Sequence, residues 1–272
     1  MILALGDLLL DVIVRVDGPI VEDTDTYGRT QVGPGGQAAN VAAWVVALGG
    51  RARFVGKRAR DGAGRLLGNE LARRGIDVAG PEVDSGTGTV VSLARSDGRR
   101  TMLTDRGIAP DFRADELDPT WIEGCETLHV PAYSLVRSPI GEAALRAARL
   151  ARREGARVSV DLSGTSAIRE LGVTRFRELL AELRPETIFG NEDELALLGE
   201  AEAETVVSKR GALGCAVRGP DGRLAVFAAA PAEVVDTTGA GDALAAGFLV
   251  SGVDAALAAA ARCVGRMGAF PP

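Results

Sequence analysis

The residues best suited to chemistry lie near the end of the chain, where residues 236–242 are Asp-Thr-Thr-Gly-Ala-Gly-Asp. The small residues at 239–241 let successive backbone N–H groups point at one spot, and a helix beginning there adds positive potential. Residues 243–250 are mostly apolar and helix-forming, so they predict that helix. The turn therefore favours phosphate, and Asp242 is placed to take a proton from an attacking hydroxyl, an arrangement that indicates phosphoryl transfer.

A second glycine-rich segment, residues 33–40, is Gly-Pro-Gly-Gly-Gln-Ala-Ala-Asn and precedes an apolar helical pattern. It partly fits the dinucleotide-binding fingerprint, but that fingerprint needs an acid after the next strand, and residues 53–55 are followed by Gly-Lys-Arg instead. Its glycines allow a ligand to touch the backbone, and Asn40 offers both a donor and an acceptor. The segment suits a polyhydroxylated ligand. Without the motif at residues 236–242, a plain tight turn entering a helix would be the favoured interpretation.

Two acids, Asp7 and Asp11, follow the first predicted strand. In an open α/β sheet the ends of the strands form the rim where ligands bind, and a carboxylate accepts two hydroxyl protons at once. A role as a sugar ligand and a role as a solvated loop acid are equally consistent for Asp7. For Asp11 the apolar neighbours favour the ligand role.

Two further polar segments each have a structural and a functional interpretation. Asn191 and Glu194 open a predicted helix, where they form an ordinary cap, or they hold a hydrated Mg²⁺ that bridges phosphates. Lys209 and Gly211 follow a predicted strand, where they belong to a hairpin turn or supply contacts to nucleotide phosphates. His129, the only histidine, lies in an apolar strand and is interpreted as a core residue.

Composition excludes several classes of function. The 272 residues carry 31 basic and 37 acidic side chains, a formal charge of −6, so we expect neither nucleic-acid nor membrane partners. The three cysteines form no CxxC pair, which disfavours a disulfide framework or a zinc site, and no apolar run reaches the roughly 18 residues of a membrane span. The chain also lacks a P-loop motif, and the cytoplasm is the expected location.

The order of the elements predicts an α/β fold, a doubly wound and mostly parallel sheet with helices on both faces. The predicted strands are 2–5, 53–55, 127–130, 158–160, 187–189, 205–208 and 215–217, and the predicted helices are 38–48, 64–74, 139–153, 175–183, 192–198 and 243–250. Residues 12–32 and 87–105 do not follow this alternation of strands and helices. Ser96-Asp97-Gly98 predicts a hairpin turn in the second segment, so both segments are expected to form a small accessory sheet on a single domain spanning residues 1–272.

The two glycine motifs, Gly35-Gly36 with Asn40 and Asp236-Thr237 with the turn ending at Asp242, together resemble the signatures of the ribokinase-like family, the PfkB carbohydrate kinases. The resemblance extends along the whole chain. It implies an ATP-dependent sugar kinase with a doubly wound α/β domain and a small β-sheet lid that closes over the sugar.

The resemblance also implies roles for individual residues. Asp242 is the general base, and Gly239, Ala240 and Gly241 form the anion hole. The sugar ligands would be Asp11, Gly35, Gly36 and Asn40. The nucleotide and Mg²⁺ site would consist of Asn191, Glu194, Lys209, Gly211 and Thr237, with Glu194 contacting the metal through water. Asp236 and Thr238 would form a K⁺ site.

Three alternatives stay open at this point. A nucleoside kinase of the same fold would need lid residues that pack on a base, and residues 12–32 offer only Tyr27. A sugar- or nucleotide-binding protein without activity and, more remotely, a dinucleotide oxidoreductase are the others. Exposed edges of the lid strands also favour a homodimer.

Overall fold

The computed structural model describes residues 1–16, 18–95 and 100–272. The strands within these ranges are β1 (Ile2–Leu5), β2 (Leu9–Val16), β3 (Arg29–Gly35), β4 (Ala52–Val55), β5 (Arg58–Ala59), β6 (Asp77–Ala79), β7 (Glu82–Val83), β8 (Thr87–Arg95), β9 (Arg100–Gly107), β10 (Thr127–Pro131), β11 (Arg157–Asp161), β12 (Thr187–Asn191), β13 (Thr205–Lys209), β14 (Cys215–Arg218) and β15 (Leu224–Phe227). The α-helices are α1 (Gln37–Ala47), α2 (Gly62–Arg73), α3 (Ile140–Arg153), α4 (Thr165–Leu171), α5 (Val173–Leu183), α6 (Glu192–Leu198), α7 (Ala240–Ser251) and α8 (Val253–Val264).

Among the described residues the main sheet has nine strands in the order β15-β14-β13-β12-β11-β10-β1-β4-β6. From β13 to β6 neighbouring strands are parallel, whereas β14 and β15 are added antiparallel at one edge. The predicted α/β class is confirmed, and every predicted strand and helix has a counterpart in the observed fold. The strands β6 and β15 and the helices α4 and α8 were not predicted from the sequence.

The main sheet is buried on both faces, as the alternation of side chains along β1 shows. Leu3 and Leu5 pack into a cluster with residues of α3 and α5, whereas Ile2 and Ala4 pack on the opposite face with residues of α1, α2 and α8. Strands covered on both faces are nearly continuous apolar runs, which is why they were recognisable in the sequence.

A second sheet has the order β3-β2-β8-β9. It is built mainly from the segments 12–32 and 87–105, which did not follow the alternation of strands and helices. In it β2 is antiparallel to β3 and parallel to β8, and β8 is antiparallel to β9. The turn predicted at 96–98 lies outside the described residues. Because β2 follows β1 closely in the chain, this small sheet is tethered at the carboxyl edge of the main sheet.

The parallel arrangement determines where the polar residues meet. The strands β1, β11, β12 and β13 all end at the same edge, so Asp7, Asp161, Asn191 and Lys209 follow or end neighbouring strands there. This is the edge where open α/β sheets bind ligands.

Candidate active site

A cavity of about 710 Å³ lies between the carboxyl edge of the main sheet and the small sheet. Its lining includes most of the residues singled out from the sequence, namely Asp11, Gly36, Asn40, Asn191, Glu194, Lys209, Thr237, Thr238, Gly239, Gly241 and Asp242. Residues far apart in the chain therefore converge on one chamber large enough for a small organic ligand.

Helix α7 points its N-terminus at this cavity. The helix begins after Gly239, whose φ of 77° is a left-handed conformation that glycine adopts without strain. Asp242 lies in the first turn and is 6% exposed. Its Oδ2 accepts a hydrogen bond of 2.7 Å from the Nδ2 of Asn40 at the start of α1. The two signature segments thus meet at one buried carboxylate.

The environment of Asp242 raises the pKa of its carboxyl group to about 7. Burial is the largest cause, and the carboxylates of Asp161 and Asp11 raise the pKa further, whereas the Asn40 hydrogen bond and the Lys209 ammonium lower it. A carboxylate with a pKa near 7 is a much better proton acceptor at neutral pH than an exposed aspartate.

The loop before α7 is organised by Asp236. Its Oδ1 accepts hydrogen bonds from the backbone N–H and the hydroxyl of Thr238, at 2.9 and 2.7 Å, and its Oδ2 accepts one from the N–H of Gly268 at 3.0 Å. These bonds tie the glycine turn to the C-terminal segment. Trp44 strengthens the same junction, because its indole N–H donates to the carbonyl of Ala269 at 2.8 Å.

Asp11 lies on β2 of the small sheet, opposite the start of α1. A Cβ built on Gly35 would overlap the Asp11 carboxyl group, and one built on Gly36, whose φ is 93°, would overlap the carbonyl of Asp7. The lack of a side chain at Gly35 therefore leaves room for the Asp11 carboxyl group, and the lack of one at Gly36 lets the two backbone segments at Gly36 and Asp7 lie close together. Burial, and secondarily Asp236, raise the pKa of Asp11 to about 7.

On the sugar-ligand role that the family resemblance implies for Asp11, replacing Gly35 with alanine should raise the KM for the sugar roughly 10- to 100-fold while leaving the KM for the nucleotide unchanged. The added methyl would displace the Asp11 carboxylate, and a lost hydrogen bond to a charged group costs about 1.5–3 kcal/mol. Steady-state kinetics on both substrates checks this expectation. Gly33→Ala is the matched control, because a Cβ there meets nothing within 4 Å. Equal effects of the two variants would contradict the role assigned to Asp11.

Asn191 and Glu194 form a capping box at the start of α6. The Asn191 side chain accepts from the N–H of Glu194 at 2.8 Å, and the two Glu194 oxygens accept from the N–H and the Nδ2 of Asn191, at 2.9 and 2.8 Å. The helix cap that the sequence predicted for this segment is thus observed. Glu194 is also only 4% exposed and lines the cavity, and burial raises its pKa while Lys209 lowers it.

Lys209 reaches the cavity from the end of β13, but Gly211 is not among the residues that line it. Residues 210–214 connect the antiparallel strands β13 and β14, with a 3-10 turn at Gly211–Leu213, so the hairpin interpretation holds for this segment. Gly35, Ala240 and Asp236 are also not among the residues that line the cavity.

Two ion pairs at the site were not predicted. The Arg106 guanidinium of β9 donates to both oxygens of Asp7, at 2.6 and 2.8 Å, so Asp7 is not a solvated loop acid. Asp7 also lines the cavity, and each of its oxygens keeps lone-pair capacity. Lys209 donates to both oxygens of Asp161, at 2.8 and 2.9 Å. The position of Asp161 directly after the predicted strand 158–160 was a signal that could have identified it.

The remaining predictions from the sequence concern His129, the three cysteines and membrane-spanning helices. His129 is 1% exposed, its Nδ1 lies 2.9 Å from the Ser159 hydroxyl, and burial lowers its pKa to about 4, as expected of a core histidine. The three cysteines are free and buried. In the described part of the chain, no helix combines the length and the apolar character needed to cross a bilayer.

Comparisons with known proteins identify the class to which this fold and cavity belong. Residues 1–270 match the pfkB family carbohydrate kinases, and the chain belongs to that family. Fructokinase-1 of Zea mays is 31% identical over 268 residues, which cover 92% of this chain and 82% of that protein. Matches to two proteins of Arabidopsis thaliana named probable fructokinases, and to the fructokinase of Solanum tuberosum, extend over 165 residues and 47–51% of those proteins. The chain is thus a carbohydrate kinase, a phosphotransferase.

Solved structures confirm the fold. Adenosine kinase from Sinorhizobium meliloti superposes with a TM-score of 0.89 at 24% identity, covering 99% of this chain and 95% of that one. An uncharacterized sugar kinase from Pyrococcus horikoshii in complex with ATP superposes with a TM-score of 0.85 at 22% identity, covering 100% and 95%.

Proposed function

We propose that the chain transfers the γ-phosphoryl group of ATP to a primary hydroxyl of a small sugar, with Asp242 as the general base. The acceptor oxygen forms a bond to the γ-phosphorus as the bond from that phosphorus to the ADP oxygen breaks. The acceptor proton passes to the Asp242 carboxylate. The N-terminus of α7 stabilises the charge on the transferring group through Gly239, Ala240 and Gly241.

The observation that carries this proposal is the contact between Asn40 and Asp242. Asn40 is 5% exposed and donates to Asp242, while its own carbonyl oxygen has no hydrogen-bond partner among the described residues. A buried acceptor without a partner is costly, and Asn40 lines the cavity, so we assign the Asn40 amide as a contact for a ligand hydroxyl. A sugar hydroxyl held by Asn40 would lie beside the carboxylate that takes its proton. Asp11, Gly35 and Gly36 complete the proposed sugar site.

Asn191, Glu194, Lys209, Gly211 and Thr237 are proposed to hold the nucleotide phosphates. Each Glu194 oxygen accepts one hydrogen bond within the capping box and keeps lone-pair capacity, so the donor set suits a hydrated Mg²⁺. Bound Mg²⁺ would neutralise charge on the phosphates. In support of ATP as the donor, the Pyrococcus horikoshii structure of the same fold contains ATP.

A K⁺ site at Asp236 and Thr238 also belongs to the proposal. Asp236 already accepts three hydrogen bonds that shape the loop beside the anion hole, the turn at residues 239–241 that we call the cradle of α7. A cation bound to Asp236 would therefore change the geometry of this cradle through the loop. Comparing turnover in potassium and sodium buffers at constant ionic strength tests this site.

The relatives favour a ketose such as fructose as the acceptor, and the cavity lining supports a small sugar over a nucleoside. The small sheet contributes Leu9, Asp11, Val90, Met102, Thr104, Asp105 and Arg106 to the lining, and none of them offers an aromatic face for stacking on a base. The aromatic residue in the described lining is Tyr133, which follows β10 on the main sheet. Measuring ADP formation with fructose, ribose, ketodeoxygluconate and adenosine decides between these substrates. Turnover with adenosine alone would indicate a nucleoside kinase, and no turnover with any acceptor would indicate a binding protein.

The pH dependence of kcat/KM should show an acidic limb near pH 7. The base must be deprotonated to act, and since the pKa of Asp242 is raised to about 7, activity should rise as the pH increases through that value. Replacing Asn40 with alanine removes the hydrogen bond that lowers this pKa, so the limb should move to higher pH. Initial rates of ADP formation from about pH 5.5 to 9 test both expectations. A flat profile between pH 6 and 8 would contradict the assigned base.

A homodimer formed through the small sheet is the remaining part of the proposal. The outer strands β3 and β9 carry exposed apolar side chains, with Val32 at 55% and Leu103 at 57% exposure. Such edges pair readily with a second copy. Sedimentation equilibrium would distinguish a dimer from a monomer.

A further inference from the structure

Lys209 and Asp161 form a buried ion pair beside the cradle of α7. The Lys209 side chain is 16% exposed and the Asp161 side chain 2% exposed. The ammonium donates to both carboxylate oxygens, at 2.8 and 2.9 Å, and a lysine ammonium has three N–H donors in all. At least one N–H therefore remains to serve another acceptor, and Lys209 lines the cavity.

The Asp161 carboxylate is itself held in place. Its Oδ1 also accepts a hydrogen bond of 2.9 Å from the backbone N–H of Ser163, directly after β11. The strand end and this bond determine the orientation of the carboxylate. The carboxylate in turn determines where the Lys209 ammonium lies, although lysine is otherwise a flexible side chain.

The ammonium lies against the first turn of α7. A Cβ built on Gly241 would be 3.3 Å from the Lys209 Nζ, so the cation is adjacent to the backbone that forms the proposed anion hole. Lys209 is therefore placed to contact the terminal phosphate more closely than the rest of the nucleotide.

The surrounding charges keep Lys209 protonated. Burial alone would lower the pKa of this ammonium, but Asp161, Glu194 and Asp242 all raise it, and the balance is upward. Of these three carboxylates, Asp161 is the one bonded directly to the ammonium. A buried lysine that lost this partner would be both misplaced and easier to deprotonate.

We propose that Asp161 is a positioning residue that holds Lys209 against the turn of α7, so that the ammonium stabilises the terminal phosphate during its transfer and Asp161 acts only through Lys209. This inference rests on the proposed kinase function. It adds a residue to the phosphate site that the sequence motifs do not contain.

A double-mutant cycle tests the proposal. Lys209→Met and Asp161→Asn should each lower kcat by about 10- to 100-fold with less than a twofold change in the KM for the sugar. The double variant should be no slower than Lys209→Met, because the two residues act as one unit. Lys209→Arg should retain more activity than Lys209→Met. Multiplicative losses in the double variant would overturn the proposal.

Calorimetric titration supplies a readout that does not need turnover. Both single variants should weaken binding of the non-hydrolysable analogue AMP-PNP by about 10-fold and change ADP binding less than twofold, because the ammonium contacts the terminal phosphate. Equal weakening of ADP and AMP-PNP would contradict this placement. If the wild-type chain phosphorylates no acceptor, the proposed function fails, and the two titrations still decide whether Asp161 and Lys209 form a site for a terminal phosphate.

The matched control is an ion pair remote from the cavity. Glu186 accepts from Arg152 at 2.8 Å and from the N–H of Val158 at 2.7 Å, a pattern like that of Asp161. Glu186→Gln should lower the Tm but leave kcat and AMP-PNP binding unchanged. A loss of kcat in this control as large as in Asp161→Asn would show that breaking any interior ion pair suffices, and the positioning role would be wrong.

Discussion

Asp242→Asn is expected to lower kcat by about 10³-fold, the largest effect of any single substitution considered, because a positioned general base contributes roughly 10²- to 10⁴-fold. Asparagine keeps the shape of the side chain but cannot take the acceptor proton. Nucleotide affinity should stay nearly intact, since the cradle of α7 is preserved. Coupled measurement of ADP formation, together with titration by ADP, gives both quantities.

Asp254→Asn is the control for this prediction. Asp254 is likewise an acid in the first turn of a helix, α8, but it is exposed and does not line the cavity. Its replacement should leave kcat unchanged. An Asp242→Asn variant with wild-type turnover would exclude the carboxylate as the base.

Gly239→Ala is expected to lower kcat by about 100-fold or more. The backbone at this position has a φ of 77°, and a Cβ built there would collide with Ala269. The methyl group would push the turn away from the C-terminal segment and misalign the N–H groups of the cradle. The loss of one such donor typically costs 10²- to 10³-fold in rate.

Gly252→Ala separates this effect from backbone strain. Gly252 precedes α8 with a φ of 83°, and a Cβ there meets nothing within 4 Å. With a ψ of −163°, Gly252 lies in a region that is essentially restricted to glycine, whereas Gly239, with a ψ of 0°, is in the left-handed helical region, so alanine should carry the larger conformational penalty at Gly252 and reduce the Tm of both variants. Only Gly239→Ala should reduce kcat. A comparable loss of kcat in Gly252→Ala would mean that general destabilisation, not the cradle, explains the result.

Much of the fold was predictable because the strands of the main sheet are buried on both faces. Their apolar runs, such as residues 2–5, stand out between helical segments, and the glycine motifs mark where two helices begin. The short strand β6 and the edge strand β15 carried weaker signals. β15 is largely exposed, so it lacks the continuous apolar run that identifies a central strand.

The site was predictable where function resides in local motifs and not where it depends on distant partners. Asp242 and Asn40 each belong to a recognisable segment, and the fold brings their side chains to 2.7 Å. The partners of Asp7 and Asp161, by contrast, come from strands 99 and 48 residues away. The order and register of the strands bring each acid to its partner, and a single sequence gives no local indication of that order or register.

Asp7 illustrates how a partner changes the interpretation of a residue. Its position at the rim predicted either a sugar ligand or a solvated acid. Arg106 of the small sheet donates to both carboxylate oxygens, so Asp7 is not a solvated acid and links the small sheet to the main one. A bidentate pair of this kind also fixes orientation, which favours a defined position of the small sheet over the cavity.

A crystal structure of the chain with fructose and AMP-PNP bound would test the catalytic geometry itself. We expect a primary hydroxyl within hydrogen-bond distance of an Asp242 oxygen, in line with the terminal phosphate, and that phosphate against Gly239, Ala240 and Gly241. A sugar bound with its hydroxyls away from Asp242, or a terminal phosphate outside the turn of α7, would show that Asp242 is not the base.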